Sequence, residues 1–284
     1  MTYLELYNSA VGSLENSGCD SPEYEIRELL SYFFGFSRYD LSLKRNDSPD
    51  EKSENAFLDS VQKRCNGYPL QYILKSWTFM DCEFHVGEGV LIPRDDTEVC
   101  VRECIKLIDK KHMQSPRIID LCSGSGAIAV TLGRRYPEAE IFAAELSEKA
   151  YAYLEENIRL NHTEKNVKPV KGDISVLYKN FGDGYFDVII SNPPYITTDE
   201  IPSLQKEVQF EPKLALDGGK DGLDFYRIIC EKWLAKLKKG GIISLETGED
   251  QGKAVSSLLI SHGFPNVTIV KDISGLDRAV VNNE

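Results

Sequence analysis

Apolar positions recur at helical spacing over residues 3–17 and 22–36, which predicts two amphipathic helices. The second begins in SPEYEIRELLSYFFGF, with Ser21 as N-cap, Pro22 in the first turn and acids following. After the turn RNDSPDEKSE, residues 51–65 give a third and more polar helical stretch. This first part is all-helical, and it is too short and polar for a catalytic α/β unit. Over 66–92 the texture changes. NGYPLQYILKSWTFMDCEFHVGEGVLIPR holds β-rich runs split by a Gly-x-Gly turn, which reads as a hairpin joining two domains. Residues 95–110 are helical again. From 117 strand and helix alternate: RIIDL, a helix over 126–135, EIFAAEL, a helix over 147–160, VKPVKG, YFDVIIS, a helix over 222–238, and GGIISLETG. A helix at 250–262 and the strands NVTIVKD and RAVVN close the chain. The alternation predicts a doubly wound, mostly parallel sheet with a late antiparallel pair. The expected organisation is a helical domain over 1–70, a hairpin linker over 71–93 and an α/β domain over 94–284.

A length of 284 residues suits one or two domains, and 42% hydrophobic with 27% charged residues is ordinary for a soluble globular protein. No apolar run is long enough for a membrane span, and MTYLELYNSAVGSLENSG lacks a signal pattern, so a cytoplasmic location is expected. The net charge of −12 is spread along the chain and argues against a polyphosphate partner. Seven cysteines with no C-x-x-C, and four scattered histidines, point to reduced thiols and to no metal site.

DLCSGSGAIAV sets Gly124 and Gly126 between a strand and a helix, where a backbone without Cβ atoms can approach a ligand. Glu145 ends the next strand, where it can accept the hydroxyls of a ribose. Gly124-x-Gly126-x-x-Ala129 fits a dinucleotide fingerprint formally and S-adenosylmethionine equally well.

The strand VIIS then stops at Asn192-Pro193-Pro194-Tyr195, at the sheet edge where open α/β folds bind ligands. Pro193 restricts Asn192 to extended angles, and neither proline carries an N–H. The Asn192 side-chain oxygen and the Pro193 carbonyl thus form a fixed pair of acceptors, suited to a planar amide or an exocyclic amine. Such a pair holds the N–H groups and stabilises positive charge growing on nitrogen during methyl transfer. Tyr195 is expected to wall the pocket and to face the cation. These residues favour a methyltransferase over hydride transfer.

DLCSGSGAIA, AAELS, SNPPYI, EPKLALDGGKDGLDFYR, LETGEDQ and KDISGLDRAV, in that order, resemble the release-factor glutamine N5-methyltransferases (the PrmC/HemK family). The segment YPLQYILKSWTFMDCEFHVGEGVLIPRDDTE is similar to that family's interdomain region, and the resemblance covers about 66–281. It implies a class I S-adenosylmethionine-dependent methyltransferase, Rossmann-like, with a small helical N-terminal domain. The reaction it implies is methylation of the glutamine in the Gly-Gly-Gln loop of class I peptide chain release factors, with S-adenosylhomocysteine as the other product. By position, Cys122, Ser123, Gly124, Ser125 and Gly126 form the cofactor loop, Glu145 holds the ribose, and Ile174 lies against adenine. Asp120 reaches the methionine amino group, Asn192 borders the cofactor, and Asn192, Pro193, Pro194 and Tyr195 bind the target glutamine. Cys122 replaces the loop's usual first glycine, and Ile174 stands where an aromatic can occur.

Arg94 and Glu98 in LIPRDDTE read as structural, with Asp95 as N-cap of the following helix. DGGKDGLDFY reads equally as substrate rim or as an ordered turn. An N6-adenine DNA methyltransferase would use the same tetrapeptide on a flipped base, but the acidic charge and the absence of a target-reading region disfavour it. Glutamine methylation of a ribosomal protein is the nearer alternative. A non-catalytic relic is disfavoured by the intact Asn192. The expected partner is a release factor, with no direct nucleic acid and no membrane, and the expected state is a monomer.

Overall fold

The computed structural model describes residues 1–282, in two compact units: Met1–Lys75 with Gln205–Phe210, and Ser76–Leu204 with the chain from Glu211 onward.

In the first unit the helices Tyr3–Asn16, Pro22–Phe34 and Glu51–Cys65 bury Leu6, Leu14, Ile26, Leu29 and Phe57 against one another. Thr2 and Glu5 close a reciprocal capping box on the first helix. Ser21 occupies the N-cap of the second but makes no side-chain cap bond, so Pro22 with its fixed φ is what sets that start. Asp50 caps the third by accepting from the Ser53 amide. Two short helices, Asp40–Leu43 and Leu70–Leu74, were not legible in the pattern. Arg64 is buried and gives two hydrogen bonds to the Glu25 carboxylate, a third to Glu207 at 2.7 Å and a fourth to the Tyr68 carbonyl. Together with the edge-on contact of Tyr68 and Phe210, this anchors Gln205–Phe210 in the helical unit.

The second unit opens with a hairpin of β1 (Ser76–Phe79) and β2 (Cys82–His85). Its turn is not the Gly-x-Gly expected from the sequence. Phe79 pairs with Cys82, so Met80 and Asp81 form the two-residue loop, with Met80 in the left-handed region at φ 50°. The glycines that suggested a turn follow the hairpin and allow close packing. A Cβ on Gly87 would meet the Tyr153 hydroxyl at 2.2 Å, and one on Gly89 the Lys149 side chain at 2.5 Å.

The remaining strands are β3 (Arg117–Leu121), β4 (Glu140–Glu145), β5 (Val167–Lys171), β6 (Phe186–Ser191), β7 (Leu237–Glu246), β8 (Val267–Lys271) and β9 (Asp277–Asn282). They form one sheet in the order β5-β4-β3-β6-β7-β9-β8. The strands from β5 to β7 run parallel, and β9 pairs antiparallel with both β7 and β8. Pro169 is tolerated because β5 is an edge strand. Ile118, Ile119, Val188, Ile189, Ile190, Ile242 and Ile243 are all fully buried, as strands covered on both faces require. The helix expected over 222–238 is broken: Asp224–Ile228 is α-helical, Ile229–Trp233 widens into a π turn and Leu234–Lys236 tightens to 3-10. Tyr226, Ile229, Cys230 and Trp233 are all buried along it, and Trp233 donates its indole N–H to the Ile174 carbonyl.

Candidate active site

Strand order reverses between β3 and β6, and the register there sets the site. Leu121 pairs with Ala144 on one side and with Ser191 on the other, and Ser191 pairs with Leu245. The next residue of each strand is therefore Cys122, Glu145, Asn192 and Glu246. Four side-chain positions leave the carboxyl edge of the sheet side by side, at the crevice that open α/β sheets offer to ligands.

A cleft above this edge is lined by Cys122, Gly124, Glu145, Ile174, Asn192 and Pro194 among the residues expected from the sequence. Gly89, Leu91, Asp173 and Leu214 also line it and were not singled out, and Phe225 lines it from DGGKDGLDFY, the stretch read as either rim or turn. Their contribution is surface brought in from segments distant in sequence. Glu145 is held by two backbone donors: Gly124 N–H reaches Oε2 at 2.8 Å and Ser147 N–H reaches Oε1 at 2.6 Å. Burial raises its pKa, and those two N–H groups pull it part of the way back. Each carboxylate oxygen keeps a further lone pair for a ligand hydroxyl.

The other loop residues act from behind the cleft. The Ser123 hydroxyl donates to the Asp120 carbonyl, and the Ser125 carbonyl accepts from Asn157. Gly126 is the N-cap of the helix Ala127–Arg135. Cys122 lies at φ 61°, a left-handed conformation that a side chain strains. Asp120 is fully buried: Oδ2 accepts from Ala129 N–H at 3.2 Å, and Oδ1 has no partner among the described residues. Burial lifts its pKa to about 8.

Asn192 projects from the end of β6 with its Nδ2 donating to Thr97 Oγ1 at 3.0 Å. Its Oδ1 takes no hydrogen bond among the described residues, and Asn192 lines the cleft. Pro193 is buried and is not part of the cleft lining, whereas Pro194 is. Tyr195 does not line this cleft, in contrast to its expected place in the pocket wall. Its hydroxyl donates to Glu246 Oε1 at 3.4 Å, and it borders a second groove with Glu200, Asp221, Glu249, Asp250 and Gln251.

The segment after the tetrapeptide is clamped. Ile196 N–H donates to the Leu216 carbonyl, Gly218 N–H to the Ile196 carbonyl, and Gln251 Nε2 to the Tyr195 carbonyl at 2.9 Å. Gly222 passes so close that a Cβ there would sit 2.3 Å from the Tyr195 oxygen. DGGKDGLDFY thus braces Asn-Pro-Pro-Tyr through Gly218 and Gly222 while its Phe225 lines the cleft, and the Gln of LETGEDQ belongs to the same brace. In LIPRDDTE, Arg94 pairs with the buried Glu211 and itself occupies the N-cap, with Asp95 one position inside the helix Asp95–Lys110. Glu98 accepts from Met80 N–H and pairs with Arg102. Of that motif Leu91 lines the cleft, and Thr97 accepts from Asn192 behind it.

Residues 5–74 match the PrmC N-terminal domain and residues 102–209 the methyltransferase small domain. The catalytic domain of hMettl16, solved with MAT2A 3'UTR hairpin 1, superposes over 91% of each chain at a TM-score of 0.58 and 16% identity, a likeness of fold alone. That likeness, the sheet order and the matched domain give a class I methyltransferase fold. The release factor glutamine methyltransferase of Thermodesulfovibrio yellowstonii is 39% identical, covering 91% of this chain and 92% of its own. That of Clostridium acetobutylicum is 37% identical, with 89% and 88% covered, and that of Moorella thermoacetica 35%, with 98% and 97%. With such identity running through nearly the whole length, the chain belongs to the release factor glutamine methyltransferase family.

Proposed function

We propose that this protein transfers a methyl group from S-adenosylmethionine to the side-chain amide nitrogen (N5) of the glutamine in the Gly-Gly-Gln loop of class I peptide chain release factors. One observation carries the reading: a carboxamide at a strand end, its NH₂ tied to Thr97 and its oxygen left for a donor, in the same cleft as Glu145 and the glycine loop.

The residues present fit the cofactor. An amino acid joined to a nucleoside needs a carboxylate for its ammonium, acceptors for ribose and an apolar slot for the base. Along the cleft Glu145 offers two oriented oxygens and Ile174, Leu91 and Phe225 apolar surface, and Asp120, buried behind the loop, has an oxygen with no partner among the described residues. A Cβ on Gly124 would meet nothing within 4 Å, so the loop leaves space there. When bound, S-adenosylmethionine supplies an electrophilic methyl group on a sulfonium.

Asn192 Oδ1 and the Pro193 carbonyl accept the two N–H bonds of the target amide, which fixes its plane. As the amide nitrogen gives up its delocalised pair, positive charge grows on it, and two acceptors held by a braced backbone stabilise that charge without reorganising. No base must act first, because the proton leaves after the bond has formed. The helical unit docks the release factor, so binding energy far from the reaction positions a flexible glutamine. Exposed Tyr24, Tyr32, Tyr39 and Leu43 on that unit suit such a contact. The same reading makes the enzyme a cytoplasmic monomer without direct nucleic-acid contact, and no described helix is long and apolar enough to cross a membrane.

The test is mass spectrometry of a release-factor peptide after incubation with enzyme and cofactor. One added methyl on the loop glutamine, lost with Asn192→Ala, is the expected result. Methyl incorporation into a ribosomal protein or duplex DNA but not into release factor would overturn the assignment.

A further inference from the structure

We infer that Glu211 and Arg94 are positioning residues that pin two stretches of the cleft lining to one carboxylate and so set how tightly the cleft holds S-adenosylmethionine. This rests on the reading of the cleft as the cofactor site.

The cleft takes Gly89 and Leu91 from the chain after the hairpin, and Pro212, Leu214 and Ala215 from a segment distant in sequence. Neither stretch belongs to the sheet, so no strand ladder sets the spacing between them. The residues before Glu211, Gln205–Phe210, belong to the helical unit, so the second stretch enters its own unit at Glu211. Whatever fixes that point of entry decides where Leu214 and Ala215 sit.

Glu211 is buried and fixes it with both oxygens: Oε2 accepts from Ile92 N–H at 3.0 Å, and Oε1 accepts from the Arg94 guanidinium. The Ile92 amide is the peptide link to Leu91, so this bond ends directly beside a lining residue. On the other side Pro212 follows Glu211, with its ring holding φ at −66°. Ala215 N–H closes a 3-10 turn on the Pro212 carbonyl at 2.8 Å, and the Leu216 carbonyl accepts from Ile196 N–H at 2.9 Å. The stretch is therefore fixed at its start by Glu211 and at its end by the residue after Asn192-Pro193-Pro194-Tyr195.

The two donors explain the choice of side chain. A carboxylate accepts at both ends, whereas a carboxamide of the same shape turns an NH₂ toward one of the donors. Arg94 is not among the residues lining the cleft, so its influence on a ligand passes through Glu211. The Arg of LIPRDDTE and the Glu of EPKLALDGGKDGLDFYR thus share one task.

The test is a double-mutant cycle of Arg94→Met and Glu211→Gln, with Arg94→Lys as the conservative variant. The readouts are Kd for S-adenosylhomocysteine by calorimetry and hydrogen exchange of the full-length protein. Each single substitution should raise Kd at least about fivefold, the low end for coupling between sites. In the double variant the carboxamide can turn its oxygen to Ile92 with no guanidinium opposing its NH₂, so it should bind no more weakly than Glu211→Gln alone. Arg94→Lys should recover most of the affinity, because the ammonium replaces the donor. Exchange should quicken over 87–95 and 211–217 in the single variants while β3 and β4 stay protected. If Glu211→Gln does not fold, Arg94→Met against Arg94→Lys carries the comparison. The inference fails if Arg94→Met keeps the wild-type Kd, if Lys and Met behave alike, or if the two losses add in the double variant. It fails equally if β3 and β4 lose protection in step, as after a general loss of stability. A wild-type protein that does not bind S-adenosylhomocysteine would overturn the cofactor reading as well.

Discussion

Replacing Asp120 with Asn should change how stability depends on pH more than it changes stability itself. The carboxyl is fully buried at the end of β3, one oxygen on the Ala129 amide and the other without a described partner. Burial, aided by the nearby Glu145 charge, lifts its pKa from 3.8 to about 8. The folded-state value lies above the unfolded one. Stability is therefore complete below pH 3.8, falls as pH rises, and the loss is full once pH passes 8. Each pH unit in that window removes about 1.4 kcal/mol, roughly 5–6 kcal/mol in all. Asn has the same shape and does not titrate. Its NH₂ takes a buried position at a fixed penalty of about 1–3 kcal/mol that is the same at every pH. Urea melts of both proteins from pH 5 to 8.5 should give curves that converge or cross, with the variant losing less on the alkaline side. Glu145 and Glu246 titrate in both proteins, so the difference reports Asp120 together with its coupling to Glu145. S-adenosylhomocysteine, whose ammonium suits an ionised Asp120, should flatten the wild-type curve and leave the variant's slope unchanged. Parallel curves for the two proteins would refute the placement of a neutral Asp120 behind the cofactor loop.

Gly222→Ala puts a Cβ 2.3 Å from the Tyr195 carbonyl at φ 71°, so methylation should drop more than about tenfold with a stability loss of roughly 2 kcal/mol, read by kinetics and urea melts. Cys122→Gly should relieve left-handed strain of about 1–2 kcal/mol and raise the melting temperature slightly while cofactor still binds. Arg64→Met strands the Glu25 carboxylate and should weaken the helical unit by roughly 3 kcal/mol, visible as faster hydrogen exchange in Tyr3–Asn16 and Pro22–Phe34.

The alternation of strand and helix, the glycine loop and Asn192-Pro193-Pro194-Tyr195 were readable because each depends on residues within a few positions of one another. Parallel pairing then carries local motifs to a common edge, which is why Cys122, Glu145 and Asn192 came together as expected. The hairpin turn was misplaced because glycine is also needed where backbones crowd a neighbour, as Gly87 does against Tyr153, and sequence does not separate the two needs. Thr97 escaped notice because its partner lies 95 residues away, and a threonine in the first turn of a helix has an ordinary explanation. The place of Tyr195 depended on Glu246, whose position is set by the register of β7. The membership of Gln205–Phe210 in the helical unit rests on Arg64 and Tyr68, contacts no local pattern announces.

Because Asn192 comes directly after the last residue of β6, its direction is counted off the pairing of Ile118–Leu121 with Val188–Ser191. An insertion or deletion of one residue inside β6 would slide it by about 3.3 Å and turn it to the opposite side of the sheet. No substitution elsewhere could compensate for that. Length variation among descendants of this chain should therefore fall outside the interval from Ile118 to Tyr195 wherever it would alter a strand, and the spacing between the strands' ends is heritable in a way that the loops between them are not.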